Sequence, residues 1–424
     1  MKKVTKSRAA TRRRKKKQML QTVGVLSVTF IVIMALLAYL VPKVHDREDS
    51  KAQIAAAKLK EEENATKAAQ PMSFTFAGVG DNLIHDVIFA YQDKDENGKW
   101  NFDNLYANTD SITQGADLAY INGETLMAGE SLELSGYPMF NGPTELLDAI
   151  KTAGFDVISL ATNHALDRGY EGIQAEHTYL ENNMPEITAT GTYATQQAAK
   201  APIVREVNGI RVGMINFTYG TNGIPVPEEE PWCIDVYLKE DGSVDYDSMK
   251  AKLDELQEVS DVQIAFMHWG NEYQEDPTED EKNITRFLNQ QGVEVIVGAH
   301  PHVIQPAEIY KGQEQDTLVY YSLGNFISGQ DAPERMVGGL ARFTLTYDPK
   351  TKKTTFSDVS YAPTITYYDE NYQNFKTNTL DTWTDEMTQT HWLTTQGEDI
   401  SPEFVKTYFS QVAGNPEGIK VDLS

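Results

Sequence analysis

Cysteine is nearly absent from this chain, with Cys233 as the one thiol in 424 residues. An internal disulfide therefore cannot form, and the disulfide frameworks typical of small secreted domains are excluded. A chain of this length can instead bury enough apolar surface to be stabilised by its core. The sequence predicts a large globular body in which Cys233, beside Trp232, is packed and unreactive.

Acidic residues are absent from residues 1–18, which contain ten Lys and Arg. A formal net charge of −25 for the whole chain therefore leaves −35 for the residues that follow. A body this acidic repels phosphate backbones and anionic lipid. We expect no nucleic-acid partner and no docking of the body itself on an anionic membrane surface.

Charged residues are also absent from Thr22 to Val41, a run rich in Val, Ile, Leu and Met. Twenty largely apolar residues match one helical crossing of the hydrocarbon core, so residues 19–42 are interpreted as a transmembrane signal anchor. The basic arm, residues 1–18, predicts a cytoplasmic N-terminus and an extracellular body on a single-pass cell-membrane protein. A cleavable signal peptide is the alternative. Its apolar region is usually shorter, and no small-x-small cleavage pattern follows Leu40.

The remaining chain divides by composition, and no internal repeat is visible. Residues 43–72 are rich in Ala, Lys, Glu and Gln without an apolar stripe, which predicts an exposed stalk or linker. Strand-like and helix-like patterns alternate through most of residues 73–346, which predicts an α/β domain. Residues 347–424 are predicted to be a C-terminal extension that packs on this domain.

Five apolar runs in the α/β region each end in polar side chains that can bind a metal. Apolar runs of this length between turn residues predict buried strands. The runs end at Asp81, Glu124, Asn163-His164, His268 and His300-Pro-His302. If the strands share a sheet, these side chains converge on one edge, where open α/β sheets bind ligands. Their oxygen and nitrogen donors suffice for one or two divalent ions, and the lack of usable cysteine favours Mn, Mg, Fe or Zn.

The pair His300 and His302 follows the apolar run Val293–Val297. Two residues apart, the imidazoles point the same way if the chain stays extended, and Pro301 favours an extended His300. Two imidazoles fixed on one side of a strand end suit a divalent metal. An isolated pair of this kind is more often a turn, and it is the other four strand ends that favour a metal site here.

Two further expectations concern the remaining polar positions. Thr317–Phe326 is predicted to be one strand with a polar end at Asn325. His45, His177 and His391 do not follow such strand ends and are predicted to lie on the surface.

Six motifs strongly resemble the CapA family, also called PgsA, whose members are associated with capsule and poly-γ-glutamate synthesis. They are Gly80-Asp81, Asn122-Gly-Glu124, Asn163-His164-x-x-Asp167, His268-Trp-Gly-x-Glu-Tyr273, Gly298-Ala-His300-Pro-His302 and Ser322-Leu-Gly-Asn325. The resemblance covers roughly residues 72–345. That family is similar to calcineurin-like metallophosphoesterases, which implies a β-sandwich flanked by helices.

The same resemblance implies roles for individual residues. Asp81 and His302 would bind a first metal, Asn163, His268 and His300 a second, and Glu124 would bridge the two. His164 would protonate a leaving group or stabilise an oxyanion, with its ring held by Asp167.

The chain departs from the metallophosphoesterase pattern in its first motif. The usual Asp-x-His is replaced by Asp81-x-Leu83, and His85 follows two residues late, so its role stays open. The bridging residue is Glu124 rather than an aspartate, and Ala299 stands where relatives often have another histidine. These departures leave the presence of catalytic activity undecided.

Two functions are consistent with these observations. One is a membrane-anchored extracellular protein of capsule or poly-γ-glutamate synthesis, export or processing, with a metal-dependent hydrolase-type site for an anionic polymer or a phosphoester. The alternative is a non-catalytic accessory or anchoring subunit of a polymer synthase complex. The acidic body repels a polyanion, so either cations at the site allow direct handling of poly-γ-glutamate or the substrate is a different one.

Overall fold

The computed structural model describes residues 70–108 and 110–424, and residues 71–424 form one compact unit. The basic arm, the predicted transmembrane anchor at 19–42 and nearly all of the predicted stalk lie outside the described residues. Within the described residues, no helix combines the length and the apolar character needed to cross a bilayer.

Fifteen strands are present in the described part of the chain. They are β1 (Met72–Leu83), β2 (Leu118–Asn122), β3 (Val157–Ser159), β4 (Thr188–Thr190), β5 (Ile203–Val207), β6 (Ile210–Thr218), β7 (Val262–His268), β8 (Val295–Ala299), β9 (Ala307–Tyr310), β10 (Thr317–Tyr320), β11 (Asn325–Ser328), β12 (Val337–Asp348), β13 (Lys353–Tyr367), β14 (Lys376–Thr379) and β15 (Lys420–Val421).

Ten α-helices and three 3₁₀ turns connect these strands within residues 70–108 and 110–424. The helices are α1 (Asp86–Ala90), α2 (Asp110–Thr113), α3 (Glu145–Thr152), α4 (Gly169–Asn183), α5 (Gln196–Lys200), α6 (Tyr246–Gln257), α7 (Glu279–Gln290), α8 (Asp385–Thr390), α9 (Trp392–Thr395) and α10 (Pro402–Ala413). The 3₁₀ turns are Asp103–Tyr106, Glu130–Leu132 and Pro333–Met336.

The strands form two sheets. Sheet 1 has nine strands in the order β14-β13-β12-β1-β2-β3-β4, with β11 paired to β1 and β15 paired to β13. Sheet 2 has six strands in the order β5-β6-β7-β8-β10-β9. Strands β1 to β4 run parallel, as do β6, β7, β8 and β10. The predicted α/β class is confirmed.

The two sheets share one hydrophobic core. Side chains of successive residues point to opposite faces of a strand, and β7 follows this rule. Ile264 and Phe266 belong to the core shared with sheet 1, where the rings of Phe266 and Tyr120 stack with centroids 4.1 Å apart. Ala265 and Met267 join a second cluster formed with helices α6 and α7. Sheet 2 is therefore covered by sheet 1 on one face and by helices on the other.

Cys233 lies in a third, smaller buried cluster, as the sequence predicts. Burial raises the pKa of its thiol to about 11, so the reactive thiolate is scarce at neutral pH.

The prediction of one strand over Thr317–Phe326 is wrong. Strand β10 ends at Tyr320 in sheet 2, and β11 begins at Asn325 beside β1 in sheet 1. Gly324, with φ of +56°, lies between them, and its carbonyl accepts a hydrogen bond of 2.8 Å from the backbone N–H of Asp81. The segment therefore crosses between the sheets and places Asn325 opposite Asp81 in the register.

The crossing segment packs so closely that side chains are excluded from two glycines. A Cβ at Gly80 would lie 1.9 Å from the carbonyl oxygen of Gly324, and one at Gly298 would lie 1.8 Å from that of Tyr321. These are backbone atoms, so no rotamer change relieves the overlap. Gly80 directly precedes Asp81 and Gly298 lies two residues before His300, so this close backbone packing occurs beside proposed ligands.

We predict that Gly298→Ala lowers the free energy of unfolding by about 1–3 kcal/mol, because the backbone must shift to accommodate the methyl group. Denaturant unfolding followed by tryptophan fluorescence measures this loss. Gly220→Ala is the control, since a Cβ there has no neighbour within 4 Å. Equal destabilisation by the two substitutions would contradict the packing argument.

Candidate metal centre

Polar side chains from both sheets meet at one end of the shared core. Sheet 1 contributes Asp81 in β1, Glu124 after β2 and Asn163 after β3, whereas sheet 2 contributes His268 in β7 and the two histidines that follow β8. The supposition of a single sheet is therefore wrong. The site lies between the edges of two parallel sets of strands, and all six predicted ligands are buried.

The extended conformation predicted for His300 and His302 is also wrong. Strand β8 ends at Ala299, and the two histidines have φ of +100° and +59°. A positive φ costs a residue other than glycine about 1–3 kcal/mol, and such strain is concentrated at functional sites. The carbonyl of Pro301 accepts a 2.7 Å hydrogen bond from the backbone N–H of Tyr273, which helps to hold this turn. The two imidazole centroids are 5.9 Å apart.

The carboxylate of Asp81 is held by two neighbouring side chains, Asn122 and His302. Its Oδ1 accepts a 2.9 Å hydrogen bond from the side-chain amide of Asn122. The amide oxygen of Asn122 in turn accepts a 2.6 Å hydrogen bond from the hydroxyl of Ser159. Its Oδ2 lies 3.1 Å from Nδ1 of His302, and that same nitrogen is 3.2 Å from Oδ1 of Asn325. Asp81 and His302, the pair that the family resemblance assigns to a first metal, are thus in direct contact.

The second predicted group is equally compact. Nε2 of His268 is 2.8 Å from Oδ1 of Asn163, and the ring of His268 lies 4.8 Å from that of His300. Burial lowers the pKa of both imidazoles well below its usual value, and neighbouring imidazoles lower it further. Both rings are therefore neutral at pH 7, which is the form that binds a metal. Nδ1 of each ring has no hydrogen-bond partner among the described residues.

Glu124 lies between the two groups. Its Oε1 is 3.6 Å from Nε2 of His268, and its Oε2 is 3.7 Å from Nδ1 of His302. The carboxylate is fully buried, and neither oxygen accepts a hydrogen bond from a described residue. Burial raises the pKa of this carboxyl well above its usual value, and the charges of Asp81 and Glu272 raise it further.

These donors fit a divalent cation. Donor atoms of Glu124, His300 and His302 all lie within 4.8 Å of one another. A buried carboxylate without hydrogen-bond donors is costly unless a counter-ion compensates its charge. Neutral imidazoles, carboxylates and an amide oxygen are the ligands that borderline and hard divalent metals prefer.

His164 and Asp167 form a separate pair beside these donors. Nδ1 of His164 is 2.7 Å from Oδ2 of Asp167, and a carboxylate can only accept, so Nδ1 carries the proton. The same Oδ2 accepts a 2.5 Å hydrogen bond from the backbone N–H of Phe140, whose ring packs edge-on against the imidazole. The ring of His164 is thereby held, and its Nε2 is left as the second functional atom.

His85 makes backbone contacts. Its Nδ1 accepts a 3.1 Å hydrogen bond from the N–H of Gly329 and lies 3.2 Å from the carbonyl of Leu83. Burial lowers its pKa to about 4, so it is neutral at physiological pH. Its ring packs on Phe140, at a centroid distance of 5.1 Å.

The two other described histidines serve structural contacts. The surface position predicted for His391 is wrong, because that residue is completely buried and its Nδ1 accepts from the backbone N–H of Leu393. His177 is half-buried, with Nε2 2.9 Å from the hydroxyl of Thr192. The position of His45 lies outside the described residues.

Sequence reasoning missed the residues that support the ligands from loops. Tyr219 packs against His300 with ring centroids 4.7 Å apart, and the amide of Asn222 accepts from Asn163 at 3.2 Å. Both follow β6, in a stretch that has no strand-end motif of its own. The sequence did signal two other supporting residues, Asn122 and Asn325, because they stand in the motifs Asn122-Gly-Glu124 and Ser322-Leu-Gly-Asn325.

Residues 75–330 of the chain match the protein family described as "Bacterial capsule synthesis protein PGA_cap". Two curated relatives are similar over part of the chain. The "PGA biosynthesis protein CapA" of Bacillus subtilis (strain 168) is 29% identical over 187 residues, covering 44% of this chain and 46% of that protein. The "Capsule biosynthesis protein CapA" of Bacillus anthracis is 31% identical over 191 residues, covering 44% and 43%. The matched region thus spans less than half the length of either relative.

Three solved structures also resemble the chain. A novel phosphatase from Mycoplasma pneumoniae has a TM-score of 0.43 at 13% identity, covering 69% of this chain and 94% of that one. The protein TT1561 of Thermus thermophilus has a TM-score of 0.35 at 8% identity, and the match covers 67% of this chain and 98% of that one. The 5'-nucleotidase of Candida albicans SC5314 has a TM-score of 0.38 at 14% identity, and the match covers 68% of this chain and 51% of that one. These TM-scores are too low for a fold or an activity to be transferred.

Proposed function

Because the chain belongs to the bacterial capsule synthesis protein family PGA_cap, we propose that it serves capsule or poly-γ-glutamate synthesis, export or processing through a metal-dependent hydrolase-type site. The supporting observation is the held imidazole of His164, 2.7 Å from Asp167, beside a buried group of metal-type ligands. A positioned acid next to a cation site is the arrangement that metal-assisted hydrolysis requires.

The proposed ligands follow the contacts within the site. Asp81 and His302 form one set, and Asn163, His268 and His300 form the other. Glu124 takes the position between them, because it lies within 4 Å of a histidine from each set. One or two ions of Mn, Mg, Fe or Zn fit these donors. A bound divalent cation supplies positive charge that polarises the bond to be broken and lowers the pKa of water.

In its imidazolium form, with Nδ1–H held by Asp167, His164 is proposed to supply its Nε2 proton to the leaving group. Asp167 accepts from Nδ1, which fixes the tautomer and leaves Nε2 as the atom that can transfer a proton. The backbone N–H of Phe140 holds the Asp167 carboxylate in turn. The ring is thereby pre-oriented before substrate binds.

The proposed fold is that of a metallophosphoesterase, a β-sandwich between helices. The core that the two sheets share, and the helices α6 and α7 on the outer face of sheet 2, support this proposal. Residues 19–42 are proposed to anchor the protein in the cell membrane, with the N-terminus in the cytoplasm and the body outside. The uncharged run and the ten basic residues before it support that orientation.

A non-catalytic accessory subunit is the second candidate function, and one observation favours it. The first motif lacks its usual histidine, and Nδ1 of His85 is occupied by the backbone of Gly329. A first metal would then have few ligands besides Asp81 and His302. In that role the anchored protein would hold polymer, or dock on subunits of a polymer synthase, without turnover.

One experiment separates the two functions. The full chain is purified in detergent, its metal is quantified by mass spectrometry, and hydrolysis of phosphodiester and γ-glutamyl substrates is assayed before and after chelation. We expect bound divalent metal, and turnover that chelation abolishes and added metal restores. Bound metal without turnover of any substrate would favour the accessory subunit. Protein without bound metal would overturn the site assignment for both functions.

A further inference from the structure

Arg335 lies near the proposed catalytic site and forms no ion pair with any residue that the structure describes. Six arginines lie in residues 70–108 and 110–424, and five of them donate side-chain hydrogen bonds. Those five are Arg168 to Leu132, Arg205 to Asp156, Arg211 to Asp261, Arg286 to Asn283 and Arg342 to Ser111. The guanidinium of Arg335 makes no hydrogen bond or ion pair with any described residue, and its Nε is a buried donor without a partner.

The guanidinium is nevertheless held in one place. Its Cζ lies 3.8 Å from the ring centroid of Tyr273, a cation–π contact. The ring of Tyr273 lies 6.0 Å from that of His302, and Gln330 donates a 3.3 Å hydrogen bond to its hydroxyl. Stacking fixes the plane of the guanidinium and leaves its N–H groups at the edge free to donate.

A second connection runs through Asn325. Its Oδ1 lies 3.2 Å from Nδ1 of His302, while its Nδ2 donates a 3.0 Å hydrogen bond to the backbone carbonyl of Arg335. One amide therefore contacts both a proposed metal ligand and the segment that carries the arginine. The position of Arg335 relative to His302 is set by two independent sets of contacts.

The charges around the site favour an anion as the partner of Arg335. The residues after position 18 carry −35, and the site itself contains Asp81 and Glu124, so a substrate anion is repelled unless a cation compensates. Glu272, the exposed acid next to Tyr273, forms no ion pair with Arg335. Through its terminal N–H groups an arginine can pair with two oxygens of a carboxylate or phosphate.

We propose that Arg335 is the substrate-recognition residue of this site and binds an anionic group, carboxylate or phosphate, next to the bond that is cleaved. This inference rests on the proposed function for the identity of the reacting site. Arg335 acts by binding and orienting substrate, and the ligand set and His164 act on the bond.

The test measures anion affinity rather than turnover. Full-length wild type, Arg335→Gln, Arg335→Lys and the control Arg286→Gln are titrated calorimetrically with inorganic phosphate and, separately, with γ-linked triglutamate. Arg286 is an exposed residue of α7 and donates to Asn283 in its own helix. The two probes decide whether the recognised group is a phosphate or a carboxylate.

We expect Arg335→Gln to weaken binding of at least one probe by about tenfold or more, because a charge-assisted bidentate pair is lost. The affinity of Arg335→Lys for that probe should lie between those of wild type and Arg335→Gln, since lysine keeps the charge but lacks the planar fork. Arg286→Gln should bind as wild type does. Equal affinities for wild type and Arg335→Gln overturn the proposal, and so does failure of the wild type to bind either probe.

Metal content is measured on every sample, which separates this inference from the proposed function. Wild type without metal but with Arg335-dependent anion binding contradicts the proposed function and leaves the recognition residue standing. If thermal melting shows that Arg335→Gln does not fold, Arg335→Lys is compared with Arg286→Lys. A loss of affinity confined to Arg335→Lys then supports the assignment, and equal affinities overturn it.

Discussion

The variant His164→Ala is expected to lose about 10²- to 10⁴-fold of turnover while keeping its bound metal, because a positioned general acid contributes a factor of that size. The imidazole lies beside the ligands, and its Nδ1 is committed to Asp167 at 2.7 Å. Removing it leaves the cation site complete and takes away the proton donor. A steady-state assay on the most active substrate, with metal quantified on the same sample, measures both quantities.

His177→Gln serves as the matched control for this variant. His177 is a half-buried histidine of α4 that contacts Thr192 and no proposed ligand. We expect it to keep wild-type turnover and metal content. Unchanged turnover in His164→Ala would contradict the role of that residue. Loss of metal together with turnover would instead make His164 a part of the cation site.

Glu124→Gln is expected to reverse its effect on stability according to whether metal is present. In chelator the variant should melt above the wild type at pH 8, by roughly 2 °C or more, because the amide replaces a buried carboxyl group whose charged form has no hydrogen-bond donors. With metal present, the wild type should melt above the variant. Metal affinity should fall by at least about tenfold when a ligand is weakened, and bound metal stabilises the folded state.

The pH dependence of the metal-free protein follows from the same residue. Burial raises the pKa of Glu124 in the folded state above its unfolded value of 4.5. Below pH 4.5 the carboxyl is protonated in both states and contributes nothing to the difference. As pH rises above 4.5 the unfolded state ionises more readily, so the folded state loses stability until its own pKa is passed. The advantage of Glu124→Gln in chelator should therefore grow with pH.

Glu294→Gln is the control for burial alone. Glu294 is a buried glutamate immediately before β8, at the opposite end of that strand from His300, and burial raises its pKa to about 8. Glu294→Gln should shift the melting temperature by the same amount in the presence of metal as in the presence of chelator. A Glu124→Gln variant that behaves in the same way, without inversion, would rule out Glu124 as a metal ligand. Differential scanning fluorimetry over pH 4 to 9 measures all three proteins.

Much of the fold could be predicted because its elements are local. The apolar run before Asp81 forms β1, the turn at Asn208-Gly209 joins β5 to β6, and Pro402–Ala413 forms helix α10. Periodicity of apolar residues reports which face of an element is buried, and it does so without reference to the rest of the chain. It does not report where one strand leaves its sheet, and this is why the prediction of a single strand over Thr317–Phe326 is wrong.

The sequence by itself singled out the residues that are proposed to carry the chemistry, because each proposed ligand lies at or just beyond the end of an apolar run and His164 lies only three residues from Asp167. The tertiary structure alone decided that these residues come from two sheets, that His300 and His302 adopt positive φ, and that Asn325 lies opposite Asp81. It also decided that Arg335 stacks on Tyr273, 62 positions earlier in the chain. Such contacts form between segments distant in sequence, and they depend on how the sheets pack rather than on any local pattern.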